Sequence, residues 1–141
     1  MSAIISQLLK NLHEQDQKRR RGIIASQGTP KLAEAKDKLP FYIFKGECEE
    51  RARVAEFLIK NKALSKPDDY YYATAIIINV GSLEYFKLSY KLIYKYRKLG
   101  GRKPWGFTDD YFTRQNWRKS KQEIYKEIEK EIGIAPGKLD R

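Results

Sequence analysis

The chain has 141 residues, of which 41% are hydrophobic and 33% charged, and these proportions suit one soluble domain and argue against full disorder. No apolar run approaches the roughly 20 residues that span a bilayer, and the N-terminus lacks the pattern of a signal peptide. We therefore expect a cytoplasmic protein without a membrane span. The single cysteine, Cys48, excludes an intramolecular disulfide and a cysteine-based metal cluster.

The charge balance points to an acidic partner. The chain has 29 basic and 18 acidic side chains, which give a net charge of +11. An excess of this size favours an acidic protein, a nucleic acid or an anionic membrane surface as the partner. A lysine-rich face that only contacts water is the structural alternative.

The first third of the chain predicts one long helix followed by a less regular region. Apolar residues at helical spacing favour a helix over residues 2–21, with Gly22 as its stop and a loop over residues 26–30. Residues 31–39 contain good helix formers, but Pro40 should end or interrupt a helix there. Residues 41–44 are then either an extended apolar plug or the start of the next helix.

Three further helices are predicted between residues 47 and 99. Residues 47–62 favour a helix with three glutamates in its first turn and a small-residue face of Ala52, Ala55, Leu58 and Ile59. Residues 70–80 favour a buried helix over a strand, because of their length and the two leading aspartates. Residues 82–99 have apolar side chains on two opposite sides, so this helix should be central in the fold.

The C-terminal part predicts a helix starting near Thr108 and a last helix from Ser120 to Gly133. The last helix has an apolar stripe of Ile124, Ile128 and Ile132, and residues 134–141 are predicted to be a flexible tail. Together these elements predict an all-α fold. It is a single-domain bundle of five to six helices over residues 1–141, with the helix near 82–99 at its centre.

Two basic groups are candidates for contacting a partner. At about 100° per residue, one narrow strip of the helix over residues 82–99 contains Lys87, Lys91, Lys95 and Lys98. Arg19 and Arg20 belong to the basic run at the predicted end of the first helix. Tyrosines beside the lysine strip could stack on bases, which keeps nucleic acid open as a ligand; core tyrosines beside a solvated strip are the structural alternative.

A second candidate site combines aspartate and arginine. Asp16, Gln17 and Arg20 lie within about one helical turn, and Asp110 and Arg114 repeat the i,i+4 spacing downstream. If these side chains converge, they form a polar network inside the bundle. Such a network is either a structural clasp or a small site.

The remaining sequence patterns do not favour a metal, a cofactor or catalysis. His13 is the only histidine, and the chain has no His-x-x-x-His or Glu-x-x-His pairing. Cys48 lies among glutamates, whose charges oppose thiolate formation. Neither glycine-rich nucleotide-binding motif occurs in the chain. We therefore expect no metal and no cofactor.

Three stretches carry a family resemblance: residues 9–21 with Asp16-Gln17-x-x-Arg20, residues 62–100 with an acidic-Tyr-Tyr segment and a closing Leu-Gly, and residues 105–122 with aromatic, Asp and Arg positions. In these stretches the chain resembles a bacterial family of uncharacterised helical proteins. The resemblance implies a helical fold and does not indicate a particular function. The chain departs from that family where Ile78-Asn79 replaces the frequent Gln-His, and where Asp110 and Arg114 are spaced apart. Residues 72–100 also loosely resemble a tetratricopeptide-type helical hairpin.

The sequence as a whole predicts a non-enzymatic helical interaction module that binds an acidic protein through a basic surface. Nucleic-acid binding through the same surface is the alternative. A small enzyme using the Asp/Arg residues is a further alternative, and it would require those side chains to line a cleft rather than pair in the interior.

Overall fold

Five α-helices build the described part of the chain. The computed structural model describes residues 2–103 and 120–138, which contain α1 (Ser2–Gln27), α2 (Leu39–Lys60), α3 (Pro67–Ile78), α4 (Leu83–Lys98) and α5 (Lys121–Ile132). A short 3-10 turn, Leu32–Glu34, lies between α1 and α2. These residues contain no strand, and the predicted single all-α domain is confirmed. The helix predicted near Thr108 lies outside the described residues.

The first three helices pack around a core of small and aliphatic side chains. α1 and α2 run antiparallel, and α3 packs against both of them and against α4. The buried residues of this core are Leu9, Ala52, Ala55, Leu58, Leu64, Ala73, Ile76, Ile77 and Leu92. The small-residue face predicted on the second helix is confirmed, because its two alanines are fully buried and allow α3 to approach closely.

A second cluster joins α4 to α5. It contains Ile78, Phe86, Tyr90, Ile124, Tyr125 and Ile128. α4 thus buries one side against α3 and the other against α5, as its two-sided apolar pattern predicted. α3 is the element with contacts to three other helices of the described residues, α1, α2 and α4.

The first helix is longer than predicted. It continues through Gly22 to Gln27 and ends where Gly28 adopts a positive φ of 73°. Gly22 does not stop the helix because its backbone stays helical, and the apolar face continues beyond it with Ile23 buried. Ser26 and Gln27, predicted as loop, are the last helical residues.

The second helix begins earlier than predicted. Pro40 lies in the first turn of α2, where a proline is tolerated because the N–H that it lacks would have no partner there. Residues 41–44 are therefore the start of this helix and not an extended plug. Glu47, Glu49 and Glu50 lie two turns inside α2, so the prediction that they occupy its first turn is wrong. Between Lys31 and Lys38 only the short 3-10 turn, Leu32–Glu34, is helical.

The later helices begin and end close to the predicted positions. Residues 70–80 are helical in α3 up to Ile78, so the helix prediction is confirmed over the strand alternative. The Ser82 hydroxyl caps α4, and the Ser120 hydroxyl accepts the Glu123 N–H at the start of α5. α5 ends at Gly133 with φ 85°. Of the predicted tail, residues 134–138 are described, and the Lys138 N–H donates to the Glu129 carboxylate at 3.0 Å.

α1 and α2 extend beyond the end of α3. α3 runs parallel to α1, because Ser6 bonds Asp69 near the start of α3 and Asp16 bonds Asn79 at its end. Residues 17–27 of α1 therefore have no α3 beside them. At about 1.5 Å per residue this extension is roughly 16 Å long. Together with the connecting residues 28–38 and the facing residues 39–47 of α2, it forms a two-helix projection that we call the overhang.

Candidate functional site

A buried carboxylate joins the first three helices. Asp16 of α1 is 1% exposed. Its Oδ1 accepts hydrogen bonds from Arg51 Nη2 at 3.2 Å and from the Cys48 thiol at 3.4 Å, both from α2. Its Oδ2 accepts one from the Asn79 amide at 2.9 Å, just after α3, and lies 3.6 Å from Arg20 Nη2. We call these five residues the Asp16 cluster.

The Asp16 cluster contains two residues of the predicted polar network, Asp16 and Arg20. Asp16 and Arg20 pair as their i,i+4 spacing predicted. Gln17 is half-buried, and its side chain forms no hydrogen bond with the Asp16 carboxylate. Asp110 and Arg114 lie outside the described residues, so their convergence on Asp16 stays a prediction. Asp16 pairs in the interior, which is the arrangement expected of a structural clasp.

Three members of the Asp16 cluster were missed from sequence. Arg51 and Cys48 lie three residues apart in a helix rich in glutamate. From the sequence, Arg51 is therefore expected to form an ion pair on the surface rather than in the interior. Asn79 carried a usable signal, because it is a polar residue at the end of an otherwise apolar segment. A polar group in such a position needs a buried partner, and Asp16 supplies it.

Cys48 is not activated as a nucleophile. Burial is the largest cause that raises the pKa of its thiol, and the charge of Asp16 is the second. Arg51 lowers the pKa, and the net result is a value of about 11. A thiol protonated at neutral pH is a poor nucleophile. The expectation of an unreactive thiol was correct in direction, but burial and Asp16, rather than the neighbouring glutamates, are the cause.

His13 lies one turn before Asp16 in α1 and packs against Tyr72 of α3. Its ring lies 5.3 Å from the Tyr72 ring, centroid to centroid. Burial lowers the pKa of His13, and the charges of Asp16 and Glu14 oppose this effect without reversing it. A neutral imidazole packed against a tyrosine ring is compatible with a role in the helix packing of α1 and α3.

The predicted lysine strip is divided between two environments. Lys87 forms ion pairs with Glu127 and Glu131 of α5, and Lys91 pairs with Glu131. These two lysines hold α5 against α4. Lys95 is exposed, and Lys98 lies over the Tyr94 ring at 4.9 Å. Only the C-terminal half of the strip is therefore directed away from the described part of the protein.

The two candidate arginines on α1 also have intrachain contacts. Arg19 donates two hydrogen bonds to Glu47 Oε1, at 2.8 and 3.1 Å, and one to Oε2 at 3.1 Å. This carboxylate raises the pKa of Arg19 through the hydrogen bond and its charge. Arg20 lies with its guanidinium 5.0 Å from the centre of the Phe44 ring. Arg20 remains partly exposed, so it can contact a ligand as well as its own chain.

Two cavities lie along α1 and α2, one on the overhang and one beside it, to which Glu47 is the only contributor from the overhang. One, of about 280 Å³, is lined by apolar side chains and one arginine: Ile23, Ile24, Pro30, Phe41, Phe44 and Arg20. The other, of about 290 Å³, is lined by Leu12, Gln15, Glu47, Glu50, Arg51 and Val54. We call the first the apolar groove and the second the acidic groove. The buried Nε of Arg51 has no hydrogen-bond partner among the described residues.

Neither a metal cluster nor a membrane helix was found in the part of the chain that the structure describes. No group of three or more His, Cys, Asp or Glu side chains there is arranged to hold a metal ion. None of the helices is both long and apolar enough to cross a bilayer. Comparisons with protein families, with curated proteins and with solved structures gave no match to this chain.

Proposed function

We propose that this protein is a non-enzymatic interaction module of the cytoplasm that binds an acidic protein partner through a basic surface on the overhang. The observation that carries the proposal is the charge of residues 17–47, which include eight basic and three acidic side chains. Such a local excess attracts an acidic surface and speeds its association.

The three carboxylates of this region do not neutralise the excess. Glu34 pairs with Lys31, Glu47 pairs with Arg19, and Asp37 accepts the Leu39 N–H. Lys36, Lys38 and Lys45 are exposed, and none has a carboxylate within 4 Å among the described residues. These three lysines are therefore the side chains best placed to meet a partner.

The lysine strip of α4 supports the proposal less well than the overhang does. Its first two members, Lys87 and Lys91, already neutralise glutamates of α5. Reversing their charge would disturb the contact between α4 and α5, so a loss of binding would be ambiguous. Lys95 and Lys98 are exposed and serve as the matched comparison instead.

The test compares two charge-reversed forms of the full chain. One carries Lys36→Glu, Lys38→Glu and Lys45→Glu, and the other carries Lys95→Glu and Lys98→Glu. Each is used to capture proteins from nuclease-treated cell extract at physiological salt, with circular dichroism as the check on folding. We expect the wild type and the second form to retain the same acidic protein and the first form to lose it.

Two results would contradict the proposal. Equal capture by all three forms would exclude the overhang lysines as the binding surface. A complex of the wild type with duplex DNA in a mobility-shift assay, lost in the triple variant and strongly weakened by salt, would assign the surface to nucleic acid instead.

A further inference from the structure

The apolar groove begins where α3 ends. Arg20 and Asn79 approach the same oxygen of the Asp16 carboxylate, Oδ2, while Arg51 approaches Oδ1 from the other side. Arg20 lines the apolar groove and Arg51 lines the acidic groove. The apolar groove is therefore the continuation, along the overhang, of the space between α1 and α2 that α3 occupies below Asp16.

The lining of this continuation suits the side chains of a helix. Along the part of α1 that precedes Asp16, α3 fills the space between α1 and α2 with Ala73, Ile76 and Ile77, which are all buried. Along the overhang, where α3 is absent, Ile24, Phe41 and Phe44 line a cavity of about 280 Å³. That volume is at the lower limit of small-molecule sites, about 300–1,000 Å³, and suits one or two aliphatic or aromatic anchors. Helices commonly bind other proteins by laying such anchors into a groove.

The charge around the apolar groove selects for an acidic occupant. Arg20 lies in its wall, and Lys38 and Lys45 are exposed on the same two-helix projection. The acidic groove instead has Glu47 and Glu50 in its wall beside Arg51, so it offers less positive charge to an acidic helix. A helix with aliphatic anchors and glutamates or aspartates beside them complements only the apolar groove.

We infer that the apolar groove binds an acidic amphipathic helix of the partner protein, laid end to end with α3. This inference rests on the proposed function and specifies which part of the partner is recognised. The partner helix presents its apolar residues at i, i+3 or i+4 spacing to the two phenylalanines and to Ile24. Its carboxylates lie near Arg20 and the overhang lysines.

The test uses a defined probe and full-length protein. The probe is a fluorescein-labelled peptide of about four helical turns, with leucine and phenylalanine on one face and glutamate on the other. Binding is followed by fluorescence anisotropy to the wild type, to Ile24→Asp and to Val54→Asp. Val54 lines the acidic groove, so the same substitution there is the matched control.

We expect the wild type and Val54→Asp to bind the probe with Kd values within about twofold of each other, and Ile24→Asp to bind at least about tenfold more weakly. A probe with lysine in place of glutamate should not bind. If Ile24→Asp fails to fold by circular dichroism, Phe41→Ala replaces it. Independently, the probe should shift the backbone NMR signals of residues 20–24 and 41–45 in the wild type.

Several outcomes would overturn the inference. They are equal weakening by Ile24→Asp and Val54→Asp, NMR shifts centred elsewhere, and no binding of the probe to the wild type. Preferential binding to phosphatidylserine vesicles would assign the groove to a membrane surface. If the triple lysine variant loses the captured acidic protein while Ile24→Asp retains it, the proposed function stands and the groove inference fails.

Discussion

Two arginine–carboxylate pairs join α1 to α2, and they differ mainly in their exposure to water. Arg19 and Glu47 form a bidentate pair with a closest contact of 2.8 Å, and their side chains are 47% and 32% exposed. Arg51 and Asp16 make one contact of 3.2 Å, and their side chains are 8% and 2% exposed. The pair with the better geometry is the one that water screens.

The comparison shows that desolvation, rather than distance, sets what each pair does. The exposed pair exchanges hydrogen bonds to water for hydrogen bonds within the protein, so its net effect on folding is small. The buried pair has already lost its water, and either partner left alone would be an uncompensated buried charge. Removing one partner of the buried pair should therefore cost far more stability than removing one partner of the exposed pair.

The largest expected effect is the loss of Asp16. Asp16→Ala leaves Arg51 buried without a counter-charge and should lower the free energy of unfolding by about 3–5 kcal/mol. Urea unfolding followed by circular dichroism measures this change. Glu47→Ala breaks the exposed pair between the same two helices and should leave the urea midpoint nearly unchanged. Similar losses in both variants would contradict the comparison.

A smaller effect is expected from Asn79. Asn79→Ala removes a hydrogen bond of 2.9 Å to the buried Asp16 and should cost about 1.5–3 kcal/mol, as expected for a bond to a charged group. The exposed Asn61, whose amide bonds the Phe57 carbonyl at the end of α2, is the control. Asn61→Ala should cost clearly less in the same urea titration. An equal cost would show that burial of the Asp16 cluster is not what matters.

The Cys48 thiol should make the free energy of unfolding depend on pH. Its pKa rises from 9.0 to about 11 on folding, so above pH 9 the unfolded chain loses a proton that the folded chain keeps. The stabilising contribution is therefore present below pH 9 and is lost as pH rises through 11. We expect the stability of the wild type to fall more steeply than that of Cys48→Ala between these values. Parallel curves from urea titrations would show that the thiol does not contribute.

The smallest expected effect concerns the lysines between α4 and α5. Lys87 and Lys91 pair with glutamates that remain partly exposed. Replacing both lysines with alanine should cost about 0.2–1 kcal/mol, and salt should reduce the difference from the wild type. Urea titrations at low and high sodium chloride measure it. A loss that salt does not reduce would indicate a buried, unscreened pair like that of Asp16.

The sequence predicts the helices well where an apolar stripe and a cap coincide, as in α4 and α5. The predicted helix ends are wrong where a residue type is compatible with both a helix and a helix end. Gly22 is a poor helix former, but Ile23 directly after it is buried, and this burial favours continuing the helix. Pro40 ends a helix in the interior but is tolerated in a first turn, and the sequence alone did not distinguish these positions.

The candidate sites were harder to predict because they depend on contacts between distant residues. The Asp16–Arg20 pair is local and follows from helical spacing. Arg51 and Asn79 reach Asp16 across 35 and 63 residues, and no local pattern contains that information. Likewise, the strip on α4 identified a genuine lysine face, but the glutamates that neutralise half of it lie on α5.

The Asp16 cluster also has a consequence for the uniqueness of the fold. The faces joining α1, α2 and α3 are lined largely by alanines and aliphatic residues, whose non-directional packing leaves buried polar contacts to specify the register. A slide of one turn, about 5.4 Å, would separate Asp16 from every partner on the other two helices. We infer that Asp16, together with the Ser6–Asp69 hydrogen bond between α1 and α3, fixes the register of the three helices, and with it the length of chain that stands beyond α3.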